Sequence, residues 1–180
     1  FPMWVGSGHK WLGGPNGTGF AFVSRRYIPH LKPLWLGDRF FNYGEDDLVR
    51  FEYQGTSDVS RFTGLKAALR LSRLLDPTAM RNRQLNLVRY LRGRLPELPA
   101  HHIRTGDIEQ ESTGMLTVTF DSERVAVEDL RETLWQRHRI WIQPDFFYGK
   151  EGHGMRISCH PATTTAEIDA LIDALAGLLS

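Results

Sequence analysis

The chain has 180 residues, 22 Lys+Arg against 21 Asp+Glu and a formal net charge of +1, so it lacks the single-sign field of a nucleic-acid arm or a membrane-surface patch. Hydrophobic residues at 41% and charged residues at 24% are globular proportions, and the length suits one large domain or two small ones. A lone cysteine, Cys159, excludes an internal disulfide and any multi-cysteine metal site, and no apolar run approaches the ~20 residues of a membrane span.

In chain order, Phe1 to Val5 reads as a buried strand running into a glycine-rich turn, Gly6-Ser7-Gly8-His9-Lys10. Thr18 to Val23 reads as a second apolar strand, with Gly13, Gly14, Pro15 and Gly17 punctuating the connection. Residues 25–55 are aromatic, rich in Pro and Gly and without periodicity, which marks a functional loop or an interface. A helix is expected from Asp58, with Val59, Phe62, Leu65, Ala68, Leu69 and Leu75 near one face and Asp76-Pro77 as its stop. A second is expected from about Thr78 to Leu95, carrying Leu87, Val88, Leu91 and Leu95 on one side, with Pro96 and Pro99 beyond it.

The remainder predicts a strand over 115–120, a helix over 127–138 and strands over 140–143 and 155–159. A last helix follows over 164–179, opened by a Thr164–Glu167 capping box and striped with Ile168, Leu171, Ile172, Leu175, Leu178 and Leu179. That order suggests a small α+β domain with a helix-covered sheet. The expected division is residues 1–77 as the end of a large domain, 78–99 as a connecting helix and 100–180 as a small C-terminal domain. The chain begins without Met inside an apolar run, so a preceding segment is expected. Without a signal-peptide pattern, the expected compartment is the cytoplasm.

Chemistry concentrates in Ser7-Gly8-His9-Lys10-Trp11-Leu12-Gly13-Gly14-Pro15-Asn16-Gly17-Thr18-Gly19-Phe20. A strand ends in small residues that present a lysine beside a histidine. Desolvation turns such an amine into a Schiff-base former, and small neighbours let a bulky cofactor approach the backbone. By pattern alone the segment reads equally well as a glycine hairpin with a solvated lysine. The glycine spacing fits neither a Walker loop nor a dinucleotide fingerprint. The histidines show no metal spacing, and His101-His102 read as exposed loop residues. Arg81, Arg83, Arg89, Arg92 and Arg94 read as a solvated helix face.

The segment SGHKWLGGPNGTGFAFV resembles the lysine motif of class V aminotransferases, a fold-type-I group of pyridoxal-phosphate (PLP) enzymes. Two further segments follow in the family's order. Gly55-Thr56-Ser57-Asp58 resembles its Gly-Thr segment, in the form typical of the epimerase-like branch. Arg156-Ile157-Ser158, followed by the helix that opens at Thr164, resembles its C-terminal Arg-x-Ser strand. The resemblance implies an α/β fold, here the end of the large PLP-binding domain plus the small α+β domain. It implies that Lys10 is the Schiff-base lysine and that Ser7 and His9 contact the cofactor phosphate. It further implies that Gly55 and Thr56 reach the phosphate of a partner subunit in a homodimer, and that Arg156 binds the substrate carboxylate.

Two departures qualify that expectation. No acid precedes Lys10, so the carboxylate that the family sets against the pyridine nitrogen is not among these residues; the first acid is Asp38. Residues 143–153 contain no cysteine, and Cys159 reads as a small buried apolar residue, which disfavours persulfide chemistry. Phe146, Phe147 and Tyr148 are candidates to line a substrate pocket. The expected function is a PLP-dependent enzyme acting at the α-amino group and Cα of an amino-acid substrate, with transamination first. Carbon–sulfur lysis, decarboxylating deamination and epimerisation are the alternatives within the family. A non-catalytic subunit of the same fold is the alternative from another class. No metal, nucleic acid or membrane partner is expected.

Overall fold

Small residues fold the first apolar segment back on the second. In the computed structural model, which describes residues 2–37, 39–52, 55–99, 101–107, 114–120, 127–145 and 154–180, β1 (Met3–Ser7) pairs antiparallel with β2 (Gly19–Val23), from Met3↔Val23 to Ser7↔Gly19. Gly6 leaves room for the Phe20 ring, whose tip would stand 2.4 Å from an added Cβ and would have to swing aside. The ribbon is not buried as its composition suggests. Trp4 is 58% exposed, and Met3, Val5 and Phe22 are exposed beside it. Two strands alone have no second layer to cover their faces.

Among the described residues of 25–55 are three short 3-10 turns, Arg25–His30, Phe40–Asn42 and Leu48–Phe51. The last two lean together through Phe40 and Phe51, over whose rings the Arg50 guanidinium lies at 4.4 and 5.1 Å. Leu34, Trp35, Leu36 and Phe41 remain exposed. Helix α1 (Ser60–Leu74) follows, and Ala68 is its one buried residue among those described.

The described residues fall into two compact units, Phe1–Leu75 and Asp76–Ser180. The second opens with α2 (Pro77–Arg94), whose N-terminus is capped by Asp76 accepting from the Thr78 N–H at 2.9 Å. Its sheet is antiparallel in the order β3-β4-β6-β5, with β3 (His101–Ile103), β4 (Met115–Phe120), β5 (Gln143–Asp145) and β6 (Gly154–Ser158). Helices α3 (Val127–His138) and α4 (Thr165–Leu179) complete the unit. Leu85, Val88 and Leu91 of α2, Leu116 and Val118 of β4, Leu134 of α3, Met155 of β6 and Ile172 and Leu175 of α4 form one core.

Three local expectations need correction. His101-His102 is strand, not loop: both pair with β4, and the His101 Nδ1–H donates to the Leu98 carbonyl at 3.0 Å. The strand expected over 140–143 begins only at Gln143, because Arg139 (φ 57) closes α3 by sending the Ile140 N–H back to the Leu134 carbonyl. The arginines of α2 are not merely solvated. Arg83 donates to the carbonyls of Pro161 and Thr163, Arg92 to that of Gly106, and Arg94 pairs with Glu97 and Asp169.

Candidate active site

The segment between β1 and β2 closes on Thr18. This residue is 4% exposed. Its carbonyl accepts from the Gly8 N–H at 2.9 Å and from the His9 ring at 3.0 Å, while its hydroxyl donates to the Pro15 carbonyl at 2.7 Å. The Gly14 N–H returns to the Gly8 carbonyl at 2.8 Å, and the Gly13 N–H to that of Lys10 at 3.0 Å. Gly13 and Gly17 adopt φ of +73 and +79, which a side chain would strain. A Cβ on Gly14 would meet the Gly8 carbonyl at 2.7 Å. The small residues are therefore spent on closing the turn. What it presents is the exposed Ser7 and Lys10 and the half-buried His9.

Helix α1 braces this turn from the same unit. Gly64 abuts Pro15, Leu65 reaches Gly8 and Gly14, and the Arg61 guanidinium sits at Gly17. Thr18, Gly64 and Arg61 were not apparent as site residues from sequence. Gly64 had a legible signal, since glycine inside a helix costs about 1 kcal/mol against alanine and calls for a packing reason. Thr18 had none, because its role is carried by its carbonyl.

Gly55 (φ +79) and Thr56 lie in the same unit, exposed, ahead of α1. The helix start is already occupied by an anion: the Asp58 carboxylate accepts from the Ser60 N–H at 2.9 Å. Contact with Ser60, first through its side chain and then its backbone, holds Asp58 below the ordinary carboxylate value. Any phosphate held by this segment would rely on the Thr56 hydroxyl rather than on the Ser60 N–H.

Arg156 lies in the second unit, on β6, in register with Thr117 on one side and Gln143 on the other. Its strand neighbours Met155 and Ile157 enter the core, so Arg156 and Ser158 occupy the opposite face. It lines a cleft of about 570 Å³ with Trp141, Gln143, Ser158 and Glu167. Glu167 is held low by its Thr164 capping bonds. Cys159 is 1% exposed, and burial pushes its thiol up to about 11, which removes it as a nucleophile at neutral pH. Phe146, Phe147 and Tyr148 lie outside the described residues. Among the described residues no cluster of His, Cys, Asp and Glu could hold a metal.

The sequence pattern described as "Aminotransferase class-V" matches residues 3–171. The chain belongs to the class V aminotransferase family. It is 31% identical over 98% of its length to isopenicillin N epimerase of Streptomyces clavuligerus, and 27% identical over 96% to that of Amycolatopsis lactamdurans. It spans 47% and 46% of those proteins, about half the length of the curated relatives it matches. A solved complex of the cystine C-S lyase C-DES with cysteine persulfide covers 94% of the chain with a TM-score of 0.78 and 25% identity, the chain spanning 45% of it. The cysteine desulfurase of Thermococcus onnurineus has the same fold, with a TM-score of 0.80 over 99% of the chain, 47% of that protein and 18% identity.

The fold is accordingly that of the fold-type-I PLP enzymes, and PLP is the cofactor of the family. The lysine turn suits that group on its own chemistry. It offers an exposed primary amine, a hydroxyl and an imidazole on one tight loop, and the Lys10 amine has no ion pair among the described residues.

Proposed function

We propose that this chain supplies the cofactor lysine and the substrate-carboxylate arginine of a PLP-dependent enzyme that moves the proton on Cα of an amino-acid-like substrate. The observation that carries the reading is the lysine turn, closed on Thr18 and braced by α1, which presents Lys10 beside Ser7 and His9. When bound, PLP supplies an electron sink that acidifies the bonds at the substrate Cα.

The chain's own residues then have distinct tasks. Lys10 holds the cofactor through its amine and, once released by the substrate amine, takes the Cα proton and returns it. Ser7 and His9 hold the phosphate. Arg156 grips the substrate carboxylate with its planar fork and so selects which Cα bond stands ready to break. The exposed Leu34, Trp35, Leu36 and Phe41 form the interface of a homodimer, through which Gly55 and Thr56 reach the phosphate of the partner subunit.

The sequence alone puts transamination first. The two epimerase relatives favour returning the proton to Cα over moving it to the cofactor. Epimerisation therefore stands first in this reading and transamination second. Carbon–sulfur lysis by a cysteine nucleophile finds no support in Cys159, which is buried with its thiol pushed up. The test incubates the full-length protein with candidate amino acids in D2O. Deuterium entry at Cα with loss of chirality, abolished in Lys10→Ala, supports the reading. Product that requires an added keto acid identifies transamination instead. Sulfide release from cysteine or cystine without Cα exchange would overturn the proposal.

A further inference from the structure

His9 faces a hydrogen-bonding constraint that the functional reading leaves open. Its Nδ1 stands 3.0 Å from the Thr18 carbonyl oxygen. A carbonyl can only accept, so Nδ1 must carry a proton. In a neutral imidazole the other nitrogen, Nε2, then has a bare lone pair. A phosphate dianion also only accepts. A neutral His9 would therefore turn a lone pair toward the phosphate it is meant to hold.

We infer that His9 carries a proton on both ring nitrogens when the phosphorylated cofactor is bound, so that seating the phosphate takes up one proton from solvent. The inference rests on the reading of Lys10, Ser7 and His9 as the cofactor turn. It depends on Thr18, whose carbonyl accepts both the Gly8 N–H and the His9 ring and so spends its two lone pairs fixing the ring.

The surroundings of the turn make the phosphate the source of the needed negative charge. Next to His9 in the chain is Lys10. Of the elements packed against the turn, β2 (GFAFV) has no titratable side chain, and α1 carries only cations, Arg61, Lys66, Arg70 and Arg73. The acids flanking α1 in sequence are both engaged, Asp58 with the Ser60 N–H and Asp76 with the Thr78 N–H. A second proton on His9 has no carboxylate on these elements to stabilise it. A bound phosphate, with a charge near −2 above pH 7, provides that partner. The phosphate thus creates the cation that holds it, and a cofactor lacking phosphate leaves the ring neutral.

The test compares PLP with pyridoxal on the full-length protein at pH 8, where free phosphate is already a dianion. Calorimetry in buffers of different ionisation enthalpy counts protons. The expected result is about one more proton taken up with PLP than with pyridoxal. Ring ¹⁵N spectra should show both His9 nitrogens protonated with PLP and only Nδ1 protonated with pyridoxal. PLP affinity should fall by up to about tenfold per pH unit above neutrality. That slope should flatten in His9→Asn, whose amide offers two N–H donors without taking up a proton. Should that variant not fold, the ring ¹⁵N spectra of the unmodified protein still decide. Borohydride reduction that places the pyridoxyl group on Lys10, together with an unprotonated Nε2 and equal proton counts, overturns this inference alone. Reduction that leaves Lys10 unmodified overturns the functional reading and the inference with it.

Discussion

Gly64, inside α1, lies so close to Pro15 of the lysine turn that an added Cβ would stand 2.4 Å from the proline Cγ. Proline is rigid and cannot yield. Gly64→Ala gains helix propensity of about 1 kcal/mol, yet the clash forces α1 away from the turn at a cost of roughly 1–3 kcal/mol. The expected outcome is a small drop in melting temperature with a larger loss of PLP affinity, read by the cofactor's absorbance. Unchanged PLP binding would mean that α1 does not brace the site.

Lys10 is one of four lysines, with Lys32, Lys66 and Lys150. Borohydride reduction of the PLP-loaded protein, followed by peptide mass spectrometry, should place the pyridoxyl group on Lys10. Lys10→Ala should lose the visible absorbance while keeping its fold by circular dichroism. An adduct on any other lysine sinks the assignment.

Arg156 offers a second, separable test. Removing it deletes charge-assisted hydrogen bonds of about 1.5–3 kcal/mol each. Arg156→Ala should weaken amino-acid binding at least about tenfold and leave PLP binding intact. Arg156→Lys should recover only part of the loss, because a point charge does not reproduce the fork. PLP loss with unchanged amino-acid binding would assign Arg156 to the fold.

The Arg94 cluster predicts an acid-dependent contribution to stability. Arg94 joins Glu97 and Asp169, and its hydrogen bond to Glu97 holds that carboxyl below its ordinary value of 4.5. A carboxyl lowered in the folded state stabilises fully above its unfolded value, and the benefit disappears as pH falls through the lowered one. The stability gap between the unmodified protein and Arg94→Met should narrow below about pH 4.5 and, the pair being exposed, also in high salt. Denaturant titrations at pH 7 and pH 3 measure it. A gap independent of pH would remove Glu97 from the account.

Cys159 should ignore thiol reagents in the folded protein at pH 8, being buried with its thiol pushed up to about 11. Reaction with a chromogenic disulfide should appear only on unfolding. Stoichiometric labelling within seconds under native conditions would contradict the packing described.

Legibility in the sequence followed the range of the interactions. The Thr164–Glu167 capping box was readable because both partners lie within one turn, and both of its bonds are present. The helices over 60–74 and 77–94 were readable from periodicity and from Asp76-Pro77. Strand β3 was not, because three residues cannot show alternation and their pairing comes from β4, which starts twelve positions further along the chain. The start of β5 was displaced because Arg139, a residue with no special turn signal, takes a left-handed conformation to end α3. In the lysine turn the motif exposed Ser7, His9 and Lys10, whereas Thr18 acts through a backbone atom that every residue possesses.

The ribbon of β1 and β2 differs from the four-stranded sheet in how its amides are held. Among the described residues, β4 and β6 are each flanked by a strand on both sides, whereas β1 and β2 are paired on one side only. Amide hydrogens of Leu116, Val118 and Ile157 should therefore exchange with solvent only on global unfolding, and those of the ribbon through small local openings. The lysine turn hangs on this ribbon, so if it holds the cofactor, binding should be recorded as slowed exchange at Gly8, Gly14 and Thr18 while the rates in β4 stay fixed. Hydrogen exchange then becomes a locator for the ligand, and it works without any knowledge of the reaction.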